Sequence, residues 1–402
     1  MIAAAASPLN RAYLDYNATA PLRAEAREAA LAAMETTGNP SSVHAEGRAA
    51  RRIVEDARNE VARLVGVTSR CVTFVSGGTE AANAALNPLF GAGPNATPLE
   101  RLIVSAGEHA CVLSGHRFPG AEVAPLAPDG RIDLDWLEAA CRRPGRALVA
   151  LQGANNETGV IQPVAQAAAL VHAVGGFLFC DAVQMAGRIP CDVATLGADA
   201  LMLSAHKMGG LKGAGALVVA RAGVSLGAPF MRGGGQERGG RAGTESVATI
   251  AAFGAAARAC LAELGAEPAR LSDLRDHLTN VVRSVAADAV VFAETARRLP
   301  NTVCFAVPGV EAATLMIALD LAGIAVSSGS ACSSGKVAPS HVLAAMSVRS
   351  ELARGAIRLS LGWASTEADV ERFAAAFASV VARIRAARGR SPALAAEARG
   401  SA

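Results

Sequence analysis

The chain is poor in lysine, in aromatic residues and in long apolar runs, and each shortage narrows what it can be. Only three of its 402 residues are lysine (Lys207, Lys212 and Lys336), so its basic residues are nearly all arginine. Net charge is +3 and aromatics make up 4% of the chain, neither of which describes a basic, aromatic-rich nucleic-acid face. The short basic run of Arg383, Arg385, Arg388 and Arg390 reads as a solvated helix end; no aromatic-rich motif beside it supports single-stranded RNA contact. No window reaches the roughly 18 uninterrupted apolar residues of a membrane span. The first six residues are apolar but lack a basic start and soon meet Pro8 and Asn10, which is not a signal-peptide pattern. Eight cysteines are scattered with no C-x-x-C, so reduced thiols in a cytoplasmic chain are expected rather than a disulfide framework. No G-x-G-x-x-G follows the first strand, which removes a dinucleotide-binding reading. His109, Cys111 and His116 lack a fourth ligand at metal spacing, and no metal is expected.

What is present is an ordinary globular balance, 51% apolar and 18% charged, long enough for two domains. Forty glycines provide for many tight turns and close backbone approaches. From Tyr13 to about Ala220 short apolar runs alternate with amphipathic stretches. Strands are predicted at 72–75, 101–104, 122–126, 147–151, 177–180, 200–203 and 214–220, and helices at 48–65, 80–89, 134–141 and 164–174. This alternation predicts an α/β fold with a mostly parallel, doubly wound sheet. A Gly/Arg-rich loop (233–243) precedes a helix at 247–264, and Pro268 marks a change of pattern. Beyond it a smaller α+β unit is predicted, with strands at 302–307, 324–327 and 357–360 and a helix at 312–321. The expected division is a large unit over 13–264 and a small one over 265–388. The N-terminal segment 1–20 is expected to join the small unit, and 389–402 to form a mobile tail.

Three patterns sit at strand ends, where open α/β sheets bind ligands. Ser76-Gly77-Gly78-Thr79-Glu80 opens a helix and reads either as an anion site or as a plain N-cap at Thr79. Asp181, with Gln184 three residues on, is either a turn residue or a carboxylate that keeps a pyridine nitrogen protonated. Ser204-Ala205-His206-Lys207 follows an apolar strand and supplies a Schiff-base candidate in a chain with almost no other lysine.

In order and spacing these patterns resemble fold-type I pyridoxal-phosphate enzymes of the class V aminotransferase superfamily, and most closely the cysteine desulfurases. Further matching stretches are Tyr13–Asn17, Asn39–His44, Glu108-His109, Asn155–Gly159, Gly233–Thr244 and Arg358–Gly362. The resemblance implies that Lys207 binds the cofactor pyridoxal 5'-phosphate and that Asp181 pairs with its ring nitrogen. Gln184 would contact the phenolic oxygen, His109 would stack on the ring and act as an acid/base, and Thr79, Ser204 and His206 would hold the phosphate. Thr244 would reach a phosphate across a homodimer interface, and Asn156 and Arg358 would bind the substrate carboxylate.

Ser327–Gly335 is a loop of small polar residues with one cysteine, Cys332, at its centre. Such a loop cannot pack a core, so its thiol is expected to be exposed on a hinge-rich tether. The segment resembles the sulfur-carrying loop of the long-loop (group I) desulfurases. By that resemblance L-cysteine becomes L-alanine, with its sulfur held as a persulfide on Cys332. The destination would be a sulfur-acceptor protein such as an iron–sulfur scaffold, with no membrane and no direct nucleic-acid contact beyond a possible tRNA-thiolation partner. The other seven cysteines read as small core residues. An aminotransferase or a selenocysteine lyase needs no cysteine on a Ser/Gly tether. A catalytically silent fold has no use for Lys207, Asp181, His109 and Cys332 together.

Overall fold

The computed structural model of the chain describes residues 11–91, 97–224, 226, 227, 229, 231–328 and 340–397, the last ten by backbone alone. Its strands, in chain order, are β1 (Ala12–Tyr13), β2 (Val72–Val75), β3 (Arg101–Ser105), β4 (Glu122–Ala124), β5 (Ala147–Gln152), β6 (Phe177–Asp181), β7 (Ala200–Ser204), β8 (Gly215–Val219), β9 (Val290–Val291), β10 (Thr302–Ala306), β11 (Ile324–Ala325), β12 (Ser327–Ser328) and β13 (Ile357–Ser360). Seven of them form one sheet in the order β2-β8-β7-β6-β5-β3-β4. β8 alone runs against its neighbours, so β2, β3, β5, β6 and β7 all end on one rim.

β5, β6 and β7 are buried at every residue, as strands covered by helices on both faces must be. Alternate side chains serve the two sides. Leu178, Cys180, Leu201 and Leu203 pack under helices Ala45–Leu64, Val164–Ala173 and Val247–Glu263. Phe177, Phe179, Ala200 and Met202 pack with helix Gly78–Ala85 and Phe90. A second, antiparallel sheet orders β12-β13-β10-β9. Its Val303, Phe305, Ile357 and Leu359 meet helices Glu267–Val285, Ala312–Leu321 and the front of Glu367–Glu397, where Phe305 and Phe373 both contact the Phe377 ring.

The segment after residue 11 stitches these parts together. Ala12 and Tyr13 pair in parallel with Ile324 and Ala325, and the Asn17 N–H donates to Ser360 Oγ at 3.0 Å. The predicted strand at 324–327 is thereby divided, β11 joining the N-terminal strand and β12 joining β13. The helix predicted to reach 89 stops at Ala85, because the Asn87 side chain takes the Leu89 N–H at 2.8 Å and Pro88 has none to give. Helix Glu367–Glu397 carries its backbone past 389, where a tail was expected, across both Gly389 and Pro392. No single described helix is long and apolar enough to cross a membrane.

Candidate active site

The first turn on the shared rim follows β2. An added Cβ on Gly215 of β8 would lie 2.6 Å from Gly77 Cα, and one on Gly78 would lie 3.2 Å from Val183 Cγ2. Glycine is what lets this turn press backbone against backbone, leaving the first N–H groups of helix Gly78–Ala85 turned to one spot. The Ser76 N–H is taken by Glu80 Oε2 at 2.7 Å, and Glu80 is itself held by Arg241 Nε at 2.9 Å.

β6 ends on Asp181, whose Oδ1 accepts the Val183 N–H at 2.9 Å. Burial pushes its carboxyl up to about 6, against the pull of that N–H and of Lys207. Three residues on, Gln184 donates through Nε2 to the Asn17 carbonyl at 3.1 Å. β7 ends on buried Ser204 and turns through His206 and Lys207. Lys207 Nζ donates to the carbonyls of Asn17 at 2.7 Å and Ala18 at 2.8 Å, so the N-terminal segment aims the amine. Burial, with Lys207, Lys212 and Arg188 nearby, pushes His206 down to about 4. It therefore stands neutral beside Thr19 Oγ1, 3.1 Å away.

His109 follows β3. Burial first, then Lys207 and His341, lowers its imidazole below the ordinary value, so the ring is uncharged at neutral pH. Its Nδ1 accepts the Cys111 N–H at 3.1 Å, which assigns the ring proton to Nε2. From the second sheet, Arg358 on β13 reaches across with Nη2 to Asp15 Oδ1 at 2.7 Å and Nη1 to the Asn156 carbonyl at 3.0 Å. Among the described residues its Nε is buried without a hydrogen-bond partner.

Thr79, His109, Asn156, Asp181, Gln184, Ser204, His206, Lys207 and Arg358 all line one cavity of about 490 Å³. Its donor set suits a phosphorylated pyridine aldehyde: a glycine-rich helix start for the anion, a buried carboxylate for a ring nitrogen, and an amine for the aldehyde. Arg358 Nε, a buried donor that no described residue satisfies, suits a carboxylate ligand. Cys111 also lines the cavity, but burial, with Asp181 and Glu108 near, pushes its thiol up and keeps it protonated. Thr244 is apart from these residues. It is exposed and lines a separate hollow of about 190 Å³ that shares Ser76 and Gly213 with the main cavity. Cys332 lies outside the described residues. Asn17, Gln152, Glu108 and Arg188 were not singled out as site residues in the sequence; Arg188 had one usable signal, its i,i+4 spacing from Gln184.

Residues 12–373 match the aminotransferase class-V family. The chain belongs to that family. Its members are pyridoxal-phosphate enzymes, in keeping with the donor set above. A cysteine desulfurase IscS of Dictyoglomus turgidum is 40% identical over 364 residues, 89% of this chain and 91% of the relative. A cysteine desulfurase of Cereibacter sphaeroides is 41% identical over 386 residues, 94% and 97% of the two chains. Among solved structures, the NifS-like protein from Rickettsia africae ESF-5 superposes with a TM-score of 0.83 at 32% identity, covering 92% of this chain and 99% of that one. SspA in complex with cysteine gives 0.74 at 28% identity, covering 87% and 98%.

Proposed function

We propose that the chain is a cysteine desulfurase of the long-loop type, converting L-cysteine to L-alanine and keeping the sulfur as a persulfide on Cys332. The observation that carries this reading is the convergence of Lys207, Asp181 and Arg358 on one cavity, in a chain about 40% identical to named cysteine desulfurases. The unit 13–264 would hold the cofactor and 265–388 would bring Arg358 to it. Thr79, Ser204 and His206 would hold the phosphate, Asp181 the ring nitrogen, Gln184 the phenolic oxygen, His109 the ring face and Lys207 the aldehyde carbon. Thr244 would reach the phosphate in a second copy of the chain, making a homodimer the active unit. When bound, pyridoxal phosphate supplies the electron sink for negative charge at the substrate's α-carbon.

Around that group the chain's own residues bind, orient and move protons. Arg358 and Asn156 fix the substrate carboxylate, and the planar guanidinium fork sets its angle. Lys207 Nζ, aimed by the Asn17 and Ala18 carbonyls, removes the α-proton. His109 enters neutral with its proton on Nε2 and exchanges it with the substrate as acid/base. The Cys332 thiolate attacks the substrate sulfur. An S–S bond forms, the Cβ–S bond breaks, and its electron pair stays on Cβ, which takes a proton. Alanine leaves, Cys332 keeps the sulfur, and an acceptor such as an iron–sulfur scaffold protein collects it in a cytoplasmic setting.

Alanine formation by the reconstituted protein, with L-cysteine and a reductant, tests the reading. Catalytic alanine is expected. Conversion of the bound cofactor to its amine form by ordinary amino donors, with no alanine from cysteine, would make the protein an aminotransferase instead.

A further inference from the structure

Arg188 is a buried cation whose hydrogen bonds, among the described residues, all go to uncharged oxygens. Nη1 donates to the Gln184 carbonyl at 2.8 Å and to Gln184 Oε1 at 2.7 Å; Nη2 donates to the Tyr16 and Lys207 carbonyls, both at 3.4 Å. Arginine is rarely buried unless paired, and a buried charge adds less stability than an apolar side chain of its volume. A charge kept in such a place calls for an anion, and no described residue supplies one by hydrogen bond.

The contacts point to that anion. Arg188 occupies Gln184 Oε1, which fixes the amide's orientation. Gln184 Nε2 spends one N–H on the Asn17 carbonyl, leaving its second N–H for the cavity the side chain lines. The same Asn17 carbonyl receives Lys207 Nζ, and Arg188 also ties down the Lys207 carbonyl. One guanidinium thus sets both the amide expected at the cofactor's phenolic oxygen and the turn that carries the cofactor-binding lysine. We infer that Arg188 is a positioning residue for the cofactor, holding Gln184 as a donor to the phenolic oxygen and supplying buried positive charge that favours the anionic state of that oxygen. Burial pushes the guanidinium down to about 10, so it remains charged at neutral pH. The ionisable groups around it are Cys260, Arg358, His206 and Lys207.

This inference rests on the cofactor assignment under the proposed function and not on the sulfur chemistry, so its test omits cysteine. The reconstituted protein is titrated with pH and the midpoint of its visible cofactor band is read. A nearby cation favours the deprotonated, less positive state, so removing it raises the midpoint. Arg188→Met is expected to raise it by about one pH unit, a tenfold change in proton affinity. Arg188→Lys, which keeps the charge without the fork and is the milder change to the fold, should give a smaller rise in the same direction. Because Arg188 acts through Gln184, adding Gln184→Ala to Arg188→Met should shift the midpoint by less than the two single shifts together. The Arg188→Met apoprotein should melt no lower than wild type. A cofactor-loaded Arg188→Lys or Arg188→Met protein with an unmoved midpoint overturns the inference, and with a lowered melting temperature it reduces Arg188 to a structural role. If the wild-type protein binds no cofactor, it is the proposed function that fails.

Discussion

Arg358 and Glu157 act through single side chains, and each gives a distinct measurement. Arg358→Lys keeps the charge but loses the fork and the buried Nε. The expected result is a KM for cysteine raised roughly tenfold with a smaller fall in kcat, because carboxylate binding is shared by ground and transition states. Steady-state kinetics of alanine release checks it. Glu157 adjoins Asn156, is buried, and accepts the Ser340 hydroxyl through Oε2. Burial pushes its carboxyl up to about 7, despite Ser340 and Arg358. Between its unfolded value of 4.5 and about 7 the native state holds more protons than the unfolded one, so this residue's contribution falls as pH rises. The full swing is on the order of 3 kcal/mol. Glu157→Gln removes it. Urea unfolding of the apoprotein near pH 5 and near pH 8 should show wild type losing more stability than the variant; equal losses would contradict the assignment. Asp181 drifts with the same sign in both proteins, so the comparison isolates Glu157.

Among the elements, the clasp that holds the 233–244 loop has the clearest energetic consequence. Arg58 donates to both oxygens of Glu237, at 2.6 and 2.9 Å, and the Phe74 N–H donates to Glu237 Oε2 at 2.9 Å. Glu237 and Arg238 sit at φ 49° and 56°, left-handed conformations that non-glycine residues keep only when surrounding contacts impose them. Glu237→Ala takes the bidentate partner from the buried Arg58 guanidinium and leaves it Glu55, 3.2 Å from its Nε, and the Val72 carbonyl. A loss of about 1–3 kcal/mol in denaturant unfolding is expected, together with weaker cofactor retention through the adjoining Arg241–Glu80 pair. Elements bounded by local chemistry were legible in the sequence. Strand 72–75, helix 134–141 with its Asp133 cap, helix 312–321 and strand 357–360 stand where their apolar runs begin and stop. Helix Ala24–Met34 was not legible, because its buried face is only Ala26, Ala30 and Ala33 and shows no large apolar stripe. β9 is two residues long and takes its place by pairing with Phe305 and Ala306, a contact no local pattern encodes. In the site, Thr79, Asp181 and Lys207 could be found as strand-end residues. Asn17 could not, since its role arises only once segments far apart in sequence have met, and Arg188 offered only its i,i+4 spacing from Gln184.

For the whole molecule, the cavity is assembled by segments at both ends of the chain. Asp15 bridges to Arg358 and Asn17 to Ser360, while the Asn17 and Ala18 carbonyls receive Lys207. Thr244 lies outside this set, exposed beside the back of the glycine turn, as a residue that serves a second copy would be. Mixing Lys207→Ala with Thr244→Val subunits tests that arrangement. In a two-fold dimer half the molecules are hybrids, each with one intact site, so activity should recover to about a quarter of wild type. Recovery no greater than the average of the two variants would place Thr244 in its own subunit's site. The most direct test of the proposed chemistry is mass spectrometry of the Cys332 peptide after incubation with L-cysteine and digestion without reductant, with alanine measured alongside. One added sulfur on that peptide, matched by released alanine and absent from Cys332→Ala, is the predicted result. Alanine released at the wild-type rate by Cys332→Ala with no added thiol, or with the Cys332 peptide unchanged in mass, would contradict it.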